Sequence, residues 1–166
     1  MNRIGRNGIV LLSIGALSWY AIMTGILRSS PALWSVRSQL LDVQAIWAKS
    51  TALKLLEILH KESCLDIMVK FYLMDLAFPF IYAPLLSALV SRLVPGNAEW
   101  CPILAGVFDT IENLTILYLI HSYKNTLNIP RLLSIIGGYS TLCKWNFMVA
   151  MPIVYWWKGE GDNKED

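Results

Sequence analysis

Asp75, Asp109, Glu112 and Lys144 stand in stretches of sequence that are otherwise apolar. Carboxylates and an amine can neutralise one another, pass a proton or hold a cation, and each of these uses requires that they meet. The spacing of their neighbours supports a meeting. Gly106, Asp109, Glu112 and Asn113 follow at i, i+3, i+6 and i+7, one face of a helix with 3.6 residues per turn. Gly137, Ser140, Thr141 and Lys144 follow at i, i+3, i+4 and i+7, again one face. Small residues let helices approach, and hydroxyls and amides bond across them, so the two faces are suited to meet with Lys144 against Asp109 or Glu112. Asp75, Phe78 and Tyr82 form a third face whose carboxylate and phenol would close the cluster.

Charge balance limits what such a cluster can be. The acids outnumber Lys144, which leaves negative charge in low dielectric unless a proton binds, a cation is held or Asp75 hydrates. Asp75 is expected near the membrane surface, where water reaches it. A proton on one carboxyl is the simplest way to neutralise the remaining surplus. The cluster then has two readings: buried glue that fixes the register of a bundle, or a proton- or ion-accepting site or headgroup site.

Other chemistries lack their parts. His60 and His121 are the only histidines, and the Glu-x-x-His pairs of di-iron bundles are absent. Cys64, Cys101 and Cys143 show no CxxC spacing, so neither a disulfide framework nor a thiolate metal site is implied. No Ser-His-Asp or Cys-His set can be assembled within the apolar runs, and Gly137-Gly138 is an isolated pair suited to packing rather than a phosphate loop. No metal, cofactor or catalytic residue is expected on these grounds. A lipid-modifying enzyme with Asp109 or Glu112 as general base is the weakest reading, because no nucleophile accompanies the acids.

The elements that hold these residues follow from composition. The chain has 166 residues, 55% hydrophobic and 16% charged, with mean hydropathy +0.49, against about 25% charged in soluble domains. A formal net charge of +2 is too balanced for a nucleic-acid partner. The lipid bilayer is the expected solvent, and about 20 apolar residues cross it as a helix. Four runs meet that length: 9–27, 71–90 with Pro79 and Pro84 as kinks, 101–120, and 132–157 ending in Tyr155, Trp156 and Trp157. The reading is therefore all-α, a single integral membrane domain over 1–166 built as a four-helix bundle. Pro95-Gly96-Asn97 turns the second span into the third, and His121 to Arg131 joins the third to the fourth. The long connection from Arg28 to Lys70 carries Ala52, Leu55, Leu56 and Leu59 at helical spacing after Ser50 as a cap. It reads as an amphipathic helix over about 50–63, lying on the membrane surface or docked on the bundle.

Four spans put both termini on one side. Arg28, Arg37, Lys49, Lys54, Lys61, Lys70, Lys124 and Arg131 outnumber the basic residues of the opposite face, so the long connection leans to the cytosol, matrix or stroma, although Arg3 and Arg6 oppose this. No cleavage site follows the first apolar run, which reads as a retained anchor. The absence of Asp and Glu before Asp42 is shared with organelle transit sequences, so an organelle inner membrane is one candidate host; a full hydrophobic span is foreign to such presequences. The Asn113-Leu114-Thr115 sequon lies mid-helix and is expected to be unused.

Asp75-x-x-Phe78-Pro79-x-x-Tyr82, Asp109-x-x-Glu112-Asn113 and Lys144-Trp145, taken in order, resemble a group of small, uncharacterised four-helix membrane proteins. The resemblance covers Ala52 to Trp145. It implies a four-helix membrane architecture with these polar positions as a recurring feature, and it brings no activity. The functional expectation is a non-enzymatic structural or accessory component, partnered by lipid and by other membrane subunits or a second copy. An ion- or proton-coupled transporter or channel is the alternative, although no second half echoes the first as carrier repeats do.

Overall fold

The computed structural model describes residues 6–41, 44, 46–93, 98–151, 153–154 and 157. Among them every regular element is helical: α1 (Arg6–Arg28), α2 (Pro31–Val36), a 3-10 turn (Arg37–Gln39), α3 (Lys49–Lys61), α4 (Leu65–Asp75), α5 (Pro79–Leu93), α6 (Trp100–Thr126), α7 (Arg131–Trp145) and a π-helical turn (Asn146–Ala150). Two of these, α1 and α6, are long and apolar enough to cross a membrane. The α4–α5 pair adds a third only as one bent span, broken by 41°.

The break corrects the expectation of one kinked helix over 71–90. Pro79 has no N–H to give and its ring displaces the carbonyl four residues earlier, so the ladder stops at Asp75 and restarts after a turn at 76–78. Pro84 is absorbed inside α5. A second correction concerns His121 to Arg131, expected as a connection. Its first part, His121 to Thr126, continues α6, with Tyr123 buried and Lys124 paired to Asp66 of α4. The helix ends where Leu127 turns left-handed (φ 53°) and its N–H closes on the Tyr123 carbonyl at 2.8 Å. The Pro95-Gly96-Asn97 turn, and Tyr155 and Trp156 of the expected aromatic belt, lie outside the described residues.

Helix α6 is the hub, with α7, α5 and α4 packed around it. Gly106 permits the α5 contact: a Cβ there would stand 3.0 Å from the Ala83 Cβ, tighter than ordinary packing. Phe147, in the π-helical turn after α7, stacks on Phe108 of α6 at 5.7 Å. Helix α1 lies outside, touching α5 and α4, and only 6% of its apolar stretch is buried against 50% for α6. Leu11, Leu17 and Tyr20 on α1, Leu114 and Tyr118 on α6, and Leu132 and Tyr139 on α7 all face outward. An apolar perimeter of this extent suits lipid rather than water.

The long connection folds into a cap. Ser30 accepts the Leu33 N–H at 3.5 Å and Pro31 occupies the first turn, so α2 begins with ordinary start signals. Helix α3 starts after Ala48 without a side-chain cap, which places Ser50 inside the first turn and removes its expected capping role. Its stripe of Ala52, Leu55, Leu56 and Leu59 is buried as the spacing predicts. These leucines join Leu33, Leu41, Met68, Tyr72, Ile116, Leu119 and Ile120 in one apolar core. Each large side chain there contributes about 1.5–3 kcal/mol, and α3 is therefore docked on the bundle.

Candidate functional site

The polar faces of α6 and α7 meet. Lys144 Nζ donates to Asp109 Oδ1 at 3.1 Å and stands 2.6 Å from Glu112 Oε2, so one amine bridges both acids. The expectation that Lys144 would pair with Asp109 or Glu112 is met by both at once. The Thr141 hydroxyl, 3.0 Å from the Gly137 carbonyl, donates to Glu112 Oε1 at 2.5 Å. Burial is nearly complete: Glu112 and Thr141 are 0% exposed, Asp109 4% and Lys144 5%. Ser140, one turn before Lys144, is buried on the same face. These residues converge because α7 carries no side chain at Gly137 where it approaches Thr115 of α6, and hydroxyls rather than bulky groups flank Lys144 at Ser140 and Thr141.

The third face takes part differently. Asp75 ends α4, is half-buried, and accepts the Asn113 amide at 3.0 Å; Asn113 itself is 0% exposed. Tyr82 on α5 is buried, its ring 5.0 Å from that of Phe78 and its hydroxyl beside Asp109 without a formed hydrogen bond. The polar groups thus run from Asp75 through Asn113 to its chain neighbour Glu112, then across to Thr141, Lys144 and Asp109. Asp75 is the end nearest the surface, and the rest is enclosed.

Trp47 was not foreseen. It reaches in from the cap, 4% exposed, and its indole N–H donates to the Thr141 hydroxyl at 2.9 Å. Gly137 and Gly138 make room for it: a Cβ on Gly137 would overlap the indole ring, and one on Gly138 would overlap the Trp47 backbone carbonyl. Gly137-Gly138 packs as an isolated glycine pair is expected to, but the sequence does not say what it packs against. The available signal is one of the two tryptophans in the long connection, together with a lone glycine pair.

A backbone carbonyl cannot swing aside as a flexible side chain does, so Gly138→Ala must push the cap away from α7. Overpacking of this kind costs about 1–3 kcal/mol. Chemical unfolding in detergent micelles should read that loss, and Gly25→Ala, where an added Cβ meets nothing, should not show it.

Among the described residues no group of three or more His, Cys, Asp or Glu is placed to hold a metal ion. The thiols Cys64, Cys101 and Cys143 are unpaired. No known family model matches the chain, and no curated protein or solved structure is significantly similar to it. The resemblance to small four-helix proteins therefore stands only in its coarser content: an all-helical, partly membrane-embedded protein with a buried acid/lysine cluster.

Proposed function

We propose that this chain is a small multi-pass membrane protein that serves as a non-enzymatic structural or accessory component of a membrane complex. In this reading it is one integral domain of four spans with both termini on the same side, the fourth span being α7 continued through the π-helical turn toward Trp157. The Asp109–Lys144–Glu112 ion pairs lock α6 and α7 into one register. The observation that carries the reading is enclosure: Glu112 is 0% exposed, with Lys144 on one oxygen and Thr141 on the other. An ion pathway requires water at its acids, whereas an assembly lock excludes it. Helix α1, with only 6% of its apolar stretch buried, is the element available to lipid or to a partner helix.

Mild-detergent extraction from native membranes tests this proposal. The account expects the protein to emerge with fixed partners at constant stoichiometry; a homogeneous monomer under conditions that preserve other complexes contradicts it. One observation favours proton- or ion-coupled transport as a second reading: Asp75, at the accessible end of the polar series, bonds to the residue next to Glu112. Vesicles reconstituted with the protein would then carry a flux that Glu112→Gln abolishes while the fold survives. Silence under both proton and cation gradients removes this reading.

A further inference from the structure

Outside the ion-paired cluster, a cavity of about 410 Å³ opens between α1, α2 and α4, within the 300–1,000 Å³ usual for small-ligand sites. Its polar and aromatic lining includes Trp19, Arg28, Trp34, Arg37, Phe71 and Asp75. The two guanidinium groups gather on one indole, with Arg28 Cζ 4.9 Å and Arg37 Cζ 4.1 Å from the Trp34 ring centre, and Arg37 is pinned further by a 2.7 Å bond to the Trp34 carbonyl. Among the described residues neither arginine has a carboxylate partner within ion-pair distance. Two guanidinium groups on one indole, both lining the cavity and each with a fork of N–H donors, can receive an oxyanion.

A second, independent feature lies deeper. Trp19 is nine residues before Arg28 on the same helix, about 13 Å nearer the middle of the span at 1.5 Å per residue. Its ring lines the cavity at that depth, while the indole N–H itself is buried out of reach of solvent. The cavity is thus cationic where α1 ends and apolar further along α1, with the Trp19 ring on its wall. A headgroup and an acyl chain have that order. Asp75 on the facing wall sets the charge: two arginines less one carboxylate leave +1, which a single phosphodiester balances, and the carboxylate can accept a headgroup hydroxyl.

We propose that this cavity binds an anionic glycerophospholipid, with its phosphate at Arg28 and Arg37, its glycerol hydroxyls toward Asp75 and its acyl chain along α1. Such a site differs from general membrane attraction because it combines paired guanidinium groups with a shaped apolar floor.

The full-length protein in detergent, titrated with phosphatidylglycerol, phosphatidylcholine or inorganic phosphate and read by native mass spectrometry, tests the proposal. One phosphatidylglycerol should be retained at least about tenfold more tightly than phosphatidylcholine, as two cations near a headgroup imply. Arg28→Gln with Arg37→Gln should erase that preference, and both side chains are exposed, so an unchanged melting temperature separates lost binding from lost fold. Trp19→Ala, which removes the aromatic wall of the cavity, should weaken phosphatidylglycerol retention several-fold. Lys49→Gln with Arg131→Gln, at a different basic cavity, should leave the preference intact. Equal retention of the two lipids, a preference that survives in the double-arginine variant, or displacement of the lipid by inorganic phosphate alone would each overturn it.

Discussion

Lys144→Met should lower stability by about 3–5 kcal/mol, the range for removing one partner of a buried ion pair. Methionine fills most of the space of the lysine stem, so the loss is electrostatic rather than steric. The amine is the shared counter-charge of Asp109 at 3.1 Å and Glu112 at 2.6 Å, and both acids are left enclosed when it goes. Interhelical hydrogen bonds between neutral groups in membranes average only about 0.6 kcal/mol, so a loss of that size would mean that the lysine is one polar contact among many. Unfolding of the purified variant by denaturing detergent distinguishes the two outcomes.

Trp47→Ala should cost a comparable amount, about 3–5 kcal/mol for deleting a buried aromatic ring. The ring fills the space that Gly137 and Gly138 leave open, and no neighbouring side chain can collapse into it without moving the cap. The indole N–H also fixes Thr141, which in turn fixes one Glu112 oxygen. Trp47→Phe keeps an aromatic ring while removing the donor and part of the ring volume, so a loss of about 1–3 kcal/mol, smaller than for Trp47→Ala, is expected. In the alanine variant the segment before α3 should also become sensitive to protease, because that segment is tied to α7 through Trp47. Equal stability of wild type and Trp47→Ala would mean that the cap is not coupled to the bundle.

The parts of this molecule legible in the sequence are those in which a strong local signal agrees with the tertiary arrangement. Asp109, Glu112 and Asn113 on one turn pattern, and Ser140, Thr141 and Lys144 on another, stand out because a charge within an apolar run has few tolerable positions and a face of small residues tells which side it must take. The α3 stripe is legible for the same reason. Other elements were hidden by competition between local signals. Pro79 and Pro84 both look like tolerable kinks, yet only Pro79 breaks the ladder, since the chain turns there to bring Asp75 to Asn113. The end of α6 carries polar residues that resemble a loop, and it stays helical because Tyr123 is buried and Lys124 meets Asp66. Helix α2 spans six residues, too short for a periodicity to register. Trp47 depends on a contact with Thr141 across 94 positions of sequence, which no local pattern encodes.

The central claim is that Lys144 and Glu112 neutralise each other inside the bundle. A double-mutant cycle with Lys144→Met, Glu112→Gln and the combined variant measures that interaction directly. The account predicts a coupling of about 1–3 kcal/mol, with the combined variant more stable than Lys144→Met alone; additivity within about 0.5 kcal/mol would contradict it.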